Sequence, residues 1–227
     1  MNYTFDFSFL AEYRPMLMQG LLMTLQLSAL STLMGFVTGT GVAYLRVSNN
    51  RLFSIPAAIY VEFIRNTPLL IQAYFLIFGM ASIGVDLPIM AGAVIALTIN
   101  VSAYTAEIMR AGIESIHKGQ IEAAHCLGLS KAQVFFRVVL APATERVYPS
   151  LVSQYVLLML ATSILSAVGI DELFGIAARV QSITFRNFEV FIVLGVLYVA
   201  LSFVVRGAFN LLGKLVFSRL RRLGTPL

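Results

Sequence analysis

One cysteine, Cys126, serves the whole chain, which excludes an internal disulfide. Two histidines and that thiol do not amount to a metal site. Charge is scarce as well: Asp, Glu, Lys and Arg make up 12% of 227 residues. There is no Gly-x-x-x-x-Gly-Lys-Ser/Thr phosphate loop, so the chain has no such means of binding and hydrolysing ATP. No nucleophile stands beside a candidate base, and no cofactor fingerprint occurs, so no catalytic residue is expected. The first fifteen residues hold Asp6, Glu12 and Arg14 but no basic n-region. They do not read as a cleavable signal, and the first apolar run is expected to stay as an anchor.

What is abundant is apolar: 59% of residues are hydrophobic, and mean hydropathy is +0.86. Such values place the chain in a bilayer, and ~20 residues per spanning helix leave room for roughly five spans. The expectation is an all-α membrane protein, one transmembrane domain over residues 1–227. Span one runs from about Met16 to Tyr44. The second begins around Ile55 to Ile64, breaks near Pro68 and resumes through Ile71 to Phe75 as far as Met80. The others cover Leu87 to Met109, Tyr148 to Val168 and Phe188 to Leu212. The nine methionines and seventeen phenylalanines read as lipid-facing and packing residues rather than a ligand box.

With the N-terminus outside, Arg46, Arg51, Arg65, Arg110, Lys118, Lys131, Arg137, Arg146, Arg206, Lys214, Arg219, Arg221 and Arg222 gather on the cytoplasmic side. Only Arg14, Arg179 and Arg186 stay outside. This asymmetry is a strong positive-inside signal. The net charge of +5 thus reports orientation, and nucleic acid is not an expected partner. Residues 1–15 become an outer segment, 111–146 a cytoplasmic loop and 213–227 a basic cytoplasmic tail. On the outer side, Leu173, Ile176, Ala177 and Val180 share a helical face, while Asp171, Glu172 and Arg179 offer polar groups. That stretch is either a plain surface helix or a seat for a delivering protein.

The cytoplasmic loop carries its own short helix. Glu122 favours a helix start electrostatically, Gly128 supplies a left-handed stop, and Ser130 with Gln133 forms a capping-box pattern that opens the next helix. About two turns are too short to be stable alone in water, so the segment must dock. Cys126 reads as a small packing residue within it.

Glu122-Ala123-Ala124, Gly128, Val138 and Leu140 follow the Glu-Ala-Ala, three residues, Gly, nine residues, aliphatic, x, Leu pattern. This resembles the EAA loop of permease subunits from bacterial ABC importers. That family usually has Pro directly after the Leu; here Ala141 intervenes before Pro142. Further stretches resemble permeases for polar amino acids. Arg65-Asn66-Thr67-Pro68-Leu69-Leu70-Ile71-Gln72 has Asn66 where that family has Gly. Ala103-Tyr104-Thr105-Ala106-Glu107 continues to Arg110, Gly112 and Ile113, and Gly119-Gln120 precedes Ile121-Glu122. In the stretch ending Thr162-Ser163-Ile164, Leu160 and Ala161 replace a common Lys-Asp pair.

The resemblance covers about Met16 to Leu212. It implies an importer subunit of the bacterial inner membrane that moves a polar amino acid or related small zwitterion by alternating access. An opine or another small solute is the alternative. It also implies coupling residues Glu122, Ala123, Ala124, Leu127, Gly128 and Leu129 against an ATPase. Implied partners are two ATPase subunits that hold ATP and Mg, a solute-binding protein outside and a second permease subunit. That second subunit is identical or homologous, and Ala161 tilts the reading toward an unequal pair. No cofactor is expected in this subunit itself.

Polar residues inside spans cost free energy unless they line water, a solute or a helix interface. Asn100, Tyr104 and Glu107 fall on one face at i, i+4 and i+7, and are candidates for a substrate path with Gln72, Gln154, Thr162 and Ser163. Interhelical hydrogen bonding, Glu107 pairing with Arg110, Glu62 neutralising Arg65 and Ser/Thr bonding to their own helix remain the plain alternatives. Pro68 is the candidate gate or static kink. An ion-coupled secondary transporter, with Glu107 as its proton or sodium group, also stays open. So does a non-transporting scaffold.

Overall fold

The computed structural model describes residues 4–217, which form helices and connecting turns throughout. Arg219, Arg221 and Arg222 of the expected basic tail lie outside the described residues. In chain order the helices are α1 (Phe9–Arg46), α2 (Arg51–Arg65), α3 (Leu69–Ser82), α4 (Ile89–Glu114), α5 (Lys118–Cys126), α6 (Lys131–Val168), α7 (Leu173–Thr184) and α8 (Asn187–Val216). Among the described residues four helices, α1, α4, α6 and α8, are long and apolar enough to cross a membrane.

Two helix starts lie well ahead of the sequence reading, each for a tertiary or capping reason. α1 starts at Phe9 rather than near Met16, because Phe9 and Leu17 are buried against Leu173, Ile176, Ala177 and Val180 of α7. α6 starts at Lys131, far ahead of Tyr148, since Ser130 caps it and Val134, Val139 and Ala143 pack in an apolar cluster. Within α6, Val134–Leu140 widens into a π-helix directly before Pro142. A proline ring clashes with the carbonyl four residues back in a regular helix, and a wider turn relieves that clash. α6 ends as a 3-10 helix over Thr162–Val168, stopped by Gly169 at φ +89°.

The expected break near Pro68 is present: Asn66, Thr67 and Pro68 separate α2 from α3. The carbonyls at the end of α2 are not left bare. Asn66 Nδ2 donates to Glu62 O at 2.7 Å, and the Thr67 hydroxyl donates to Phe63 O at 3.0 Å. Asn66 also reaches Glu62 Oε2 at 3.3 Å, so Glu62 is engaged there and not by Arg65.

The chain divides into two compact units. The first takes in the chain up to Leu33, Pro68–Thr98 and Val156–Arg206. Its centre is the start of α7. Glu172 is fully buried and caps that helix, accepting the N–H groups of Phe174 at 2.9 Å and Gly175 at 2.7 Å, while Tyr198 donates its hydroxyl to it at 2.9 Å. Burial pushes the Glu172 carboxyl up, and these donors pull against the shift. The polar group expected on an exposed helix is therefore an internal cap, whereas Asp171 and Arg179 do pair at the surface at 2.7 Å. α7 can approach α1 because residue 20 is glycine: a Cβ there would lie 3.0 Å from Leu173 Cα.

The second unit comprises Met34–Thr67, Ile99–Tyr155 and the chain from Gly207. It is packed through small residues, as expected where lipid supplies no hydrophobic drive between helices. A Cβ at Gly39 of α1 would stand 2.6 Å from the Ser102 carbonyl oxygen and 2.7 Å from Thr105 Cβ of α4. Tyr60 of α2 donates to Ile99 O at 3.0 Å and lies 2.5 Å from Ser102 Oγ. Tyr148 of α6 donates to Phe209 O of α8 at 2.6 Å. Substituting Gly39 by Ala should lower stability by about 1–3 kcal/mol through overpacking. Gly41→Ala, where a Cβ would meet open space, should be neutral or slightly stabilising. Thermal unfolding of the two variants in mild detergent checks the contrast.

Candidate functional site

Two local structures gather the residues singled out from the sequence, and both belong to the second unit. The first is α5. His117 caps its start, Nδ1 accepting the Gly119 N–H at 3.1 Å. At the other end the Gly128 N–H meets His125 O at 2.9 Å and the Leu129 N–H meets Ala124 O at 3.2 Å, with Gly128 at φ +76°. This is the Schellman stop, which a left-handed glycine makes cheap. The next helix opens with a full capping box: Ser130 N–H to Gln133 Oε1 at 2.9 Å, and Gln133 N–H to Ser130 Oγ at 3.3 Å.

Because α5 begins at Lys118, Glu122 stands past the first turn, and the helix start owes nothing to its charge. The cap is His117 instead, a residue the sequence reading passed over. Ala124 is buried with Ile116, Val134, Val139 and Ala143, while Ile121 and Leu129 are half-buried against that cluster. The other face is open: Glu122, Ala123, His125 and Cys126 are exposed, and Leu127 is 80% exposed. Cys126 is thus a surface residue, not the packing residue expected. Beside the start of α5 opens a cleft of about 610 Å³ lined by Glu114, Ser115, His117, Lys118 and Glu122. Arg146 secures the approach to α5, donating to Ser115 O at 2.6 Å and Ser115 Oγ at 2.8 Å.

The second local structure is one face of α4. Val101, Ser102, Thr105 and Met109 are buried, whereas Asn100, Tyr104 and Glu107 lie on the partly exposed side. Glu107 is held by Arg46 from the end of α1 and by Arg110 one turn on, and Arg110 also binds Glu114 at 2.6 Å. Arg65 approaches Glu107 at 3.9 Å and lies over the Tyr104 ring, 5.4 Å from its centroid. The pairing with Arg110 was legible at i+3; those with Arg46 and Arg65 were missed, being far apart in sequence. The one clue was that all these cations fall on the same side as Glu107 in the positive-inside reading.

The remaining candidates are dispersed. Gln154 is half-buried in the second unit, and Gln72, Thr162 and Ser163 belong to the first. Gln72 is buried near the start of α3, where Pro68 occupies the N-cap with φ −63°. Thr162 is fully buried and donates to Met159 O at 2.7 Å, and Ser163 donates to Leu160 O at 2.8 Å. Both hydroxyls turn back on their own helix. Among the described residues no group of His, Cys, Asp and Glu could hold a metal ion.

Residues 15–218 match the model of the binding-protein-dependent transport system inner membrane component family. The chain belongs to this family. Among its relatives is the octopine transport system permease protein OccM of Rhizobium radiobacter, 36% identical, with 92% of this chain and 89% of that protein covered. The nopaline transport system permease protein NocM of Agrobacterium fabrum is 38% identical over 88% of this chain and 87% of its own length. Of solved structures, an amino acid ABC transporter crystallised with histidines aligns at a TM-score of 0.83 and 33% identity. That alignment covers 93% of this chain and 99% of the other.

For an inner membrane component of this family, a carboxylate in a long helix has to be neutralised from within the protein. Replacing Glu107 by Gln leaves Arg46, Arg65 and Arg110 facing one another without the shared anion. The expected loss is roughly 1–3 kcal/mol, seen as a lower midpoint in thermal unfolding in detergent. Glu114→Gln, which removes one exposed i,i+4 partner, should cost less than about 0.5 kcal/mol.

Proposed function

We propose that this chain is the membrane-spanning permease subunit of an ATP-driven importer that carries a polar amino acid, an opine or a related small zwitterion into the cytoplasm. The observation that carries the proposal is α5, a short helix capped at both ends and seated on an apolar cluster, whose other face bares Leu127 to solvent. A helix built to stand at a surface with an exposed leucine suits docking into a cleft of another protein. The family assignment supports a transport system with an outside binding protein, and the names of the relatives support opines and amino acids as cargo.

In this reading the whole chain acts as a single permease domain with its N-terminus outside and its C-terminus in the cytoplasm. The broken stretch α2–α3 makes the fifth crossing beside α1, α4, α6 and α8. Residues 1–15 lie outside, 111–146 form the cytoplasmic coupling loop and 213–227 the basic tail. Glu122, Ala123, Ala124, Leu127, Gly128 and Leu129 pass the closure of two ATPase subunits to the spans. ATP acts by stabilising one of two arrangements, which is a population shift. A second permease subunit completes the path. The open face of Asn100, Tyr104 and Glu107 is the surface this chain contributes to it, with Gln72, Gln154, Thr162, Ser163 and the break at Pro68 as further path and gate positions. Bound ATP and Mg belong to the partner ATPase, and the assembly resides in the bacterial inner membrane.

Gly128 provides the test, since its φ of +76° strains any β-branched residue. In the importer reconstituted with its ATPase and binding protein, Gly128→Val should leave membrane insertion and ATP hydrolysis in place while uptake falls by tenfold or more. Gly128→Asn, which tolerates the left-handed conformation, should retain most uptake. Wild-type uptake by the valine variant would sink the coupling role. Uptake driven by an ion gradient without the ATPase would sink the importer reading itself.

A further inference from the structure

The arginines around Glu107 outnumber what that carboxylate needs. Arg46 and Arg110 already engage it directly, and Arg110 is also compensated by Glu114. Arg65 is a third cation, 3.9 Å from the same carboxylate, with its side chain 36% exposed. Of the three guanidinium groups, that of Arg65 is the least tightly engaged. Glu62, the acid nearest to it in sequence, is in contact with Asn66 at 3.3 Å.

Arg65 is placed where an anion could reach it. Its Cζ lies 5.4 Å from the Tyr104 ring centroid, within range of a cation–π attraction. Arginine presents paired N–H donors that match the two oxygens of a carboxylate. Because Glu107 stands at 3.9 Å, beyond a normal hydrogen bond, Arg65 can turn to an arriving carboxylate without breaking a close ion pair.

We propose that Arg65, near Tyr104, receives the carboxylate of the transported solute on the inward part of its path. This rests on the importer reading above and deepens it: the solute is recognised in the permease by its acid group. Arg46 and Arg110 keep Glu107 neutralised, so Arg65 is the cation that remains for cargo.

The test uses the permease–ATPase complex in lipid nanodiscs, without the binding protein, and ligand-observed NMR. Octopine, nopaline and histidine are the probes, each against the same compound with its α-carboxylate converted to the carboxamide. ATP-driven uptake of at least one probe by the complete wild-type system is established first; uptake of none would overturn the importer reading and the station with it. With uptake present, wild type should bind the acid more tightly than the amide. Arg65→Gln should weaken acid binding about tenfold, as loss of one charge-assisted contact predicts, and leave amide binding unchanged. Arg65→Lys, which keeps the charge but not the fork, should fall between. Equal weakening of acid and amide by Arg65→Gln would mark a structural role and overturn the proposal. So would equal binding of acid and amide by wild type. Loss of co-purifying phosphatidylglycerol in Arg65→Gln, with no acid preference in wild type, would assign the arginine to a lipid phosphate and also overturn it.

Discussion

Hydrocarbon offers no hydrogen-bond partner, so every polar group carried into a span has to be answered from inside the protein. This constraint organises most of the chain. Ser28, Thr38, Thr162, Ser163, Ser166 and Ser202 each turn a hydroxyl back to a carbonyl of their own helix. Tyr60, Tyr148 and Tyr198 reach across to neighbouring helices, and Glu107 is enclosed by arginines. Small residues then serve as the packing device, because bare backbone at Gly20 and Gly39 lets helices close to contact distance. Polar satisfaction and close approach are linked: the Tyr60 bond to Ser102 is made on the same turn of α4 that Gly39 touches.

At α5 and along one face of α4 the chain leaves polar groups less enclosed. α5 is rigid for its length because its ends are tied by side chain and glycine, and because the buried side of the helix, at Ala124, is one methyl wide. A small residue there brings the helix backbone close to the apolar cluster. The exposed Ala123, about 100° further round the helix, leaves that flank equally thin. The doublet of alanines thus thins the helix on two sides, which is a reason for that residue type at both positions.

Local chemistry was readable in the sequence, and distant pairing was not. The break at Pro68, the left-handed Gly128, the Ser130–Gln133 box and the buried face of α7 all arise from rules that act within a few residues. Helix boundaries failed where tertiary packing extended them, as with Phe9 beside α7 and Lys131 ahead of the apolar cluster. Roles failed where burial decides the meaning of a side chain. Glu172 looked like a surface charge and is an internal cap; Cys126 looked like packing and is exposed. No periodicity relates Arg46 or Arg65 to Glu107, because that neighbourhood exists only once three helices are assembled.

The π-helix at Val134–Leu140 has a geometric consequence for α6. One residue corresponds to about 100° of rotation in an α-helix. A widened stretch therefore resets the phase between the helix on its N-terminal side and the helix on its C-terminal side. Val134 and Val139 face the α5 cluster, while Tyr148, beyond Pro142, faces α8. Tightening the wide turn into a regular helix would rotate one of these ends against the other, so the wide turn is what lets a single helix present the right face to both neighbours.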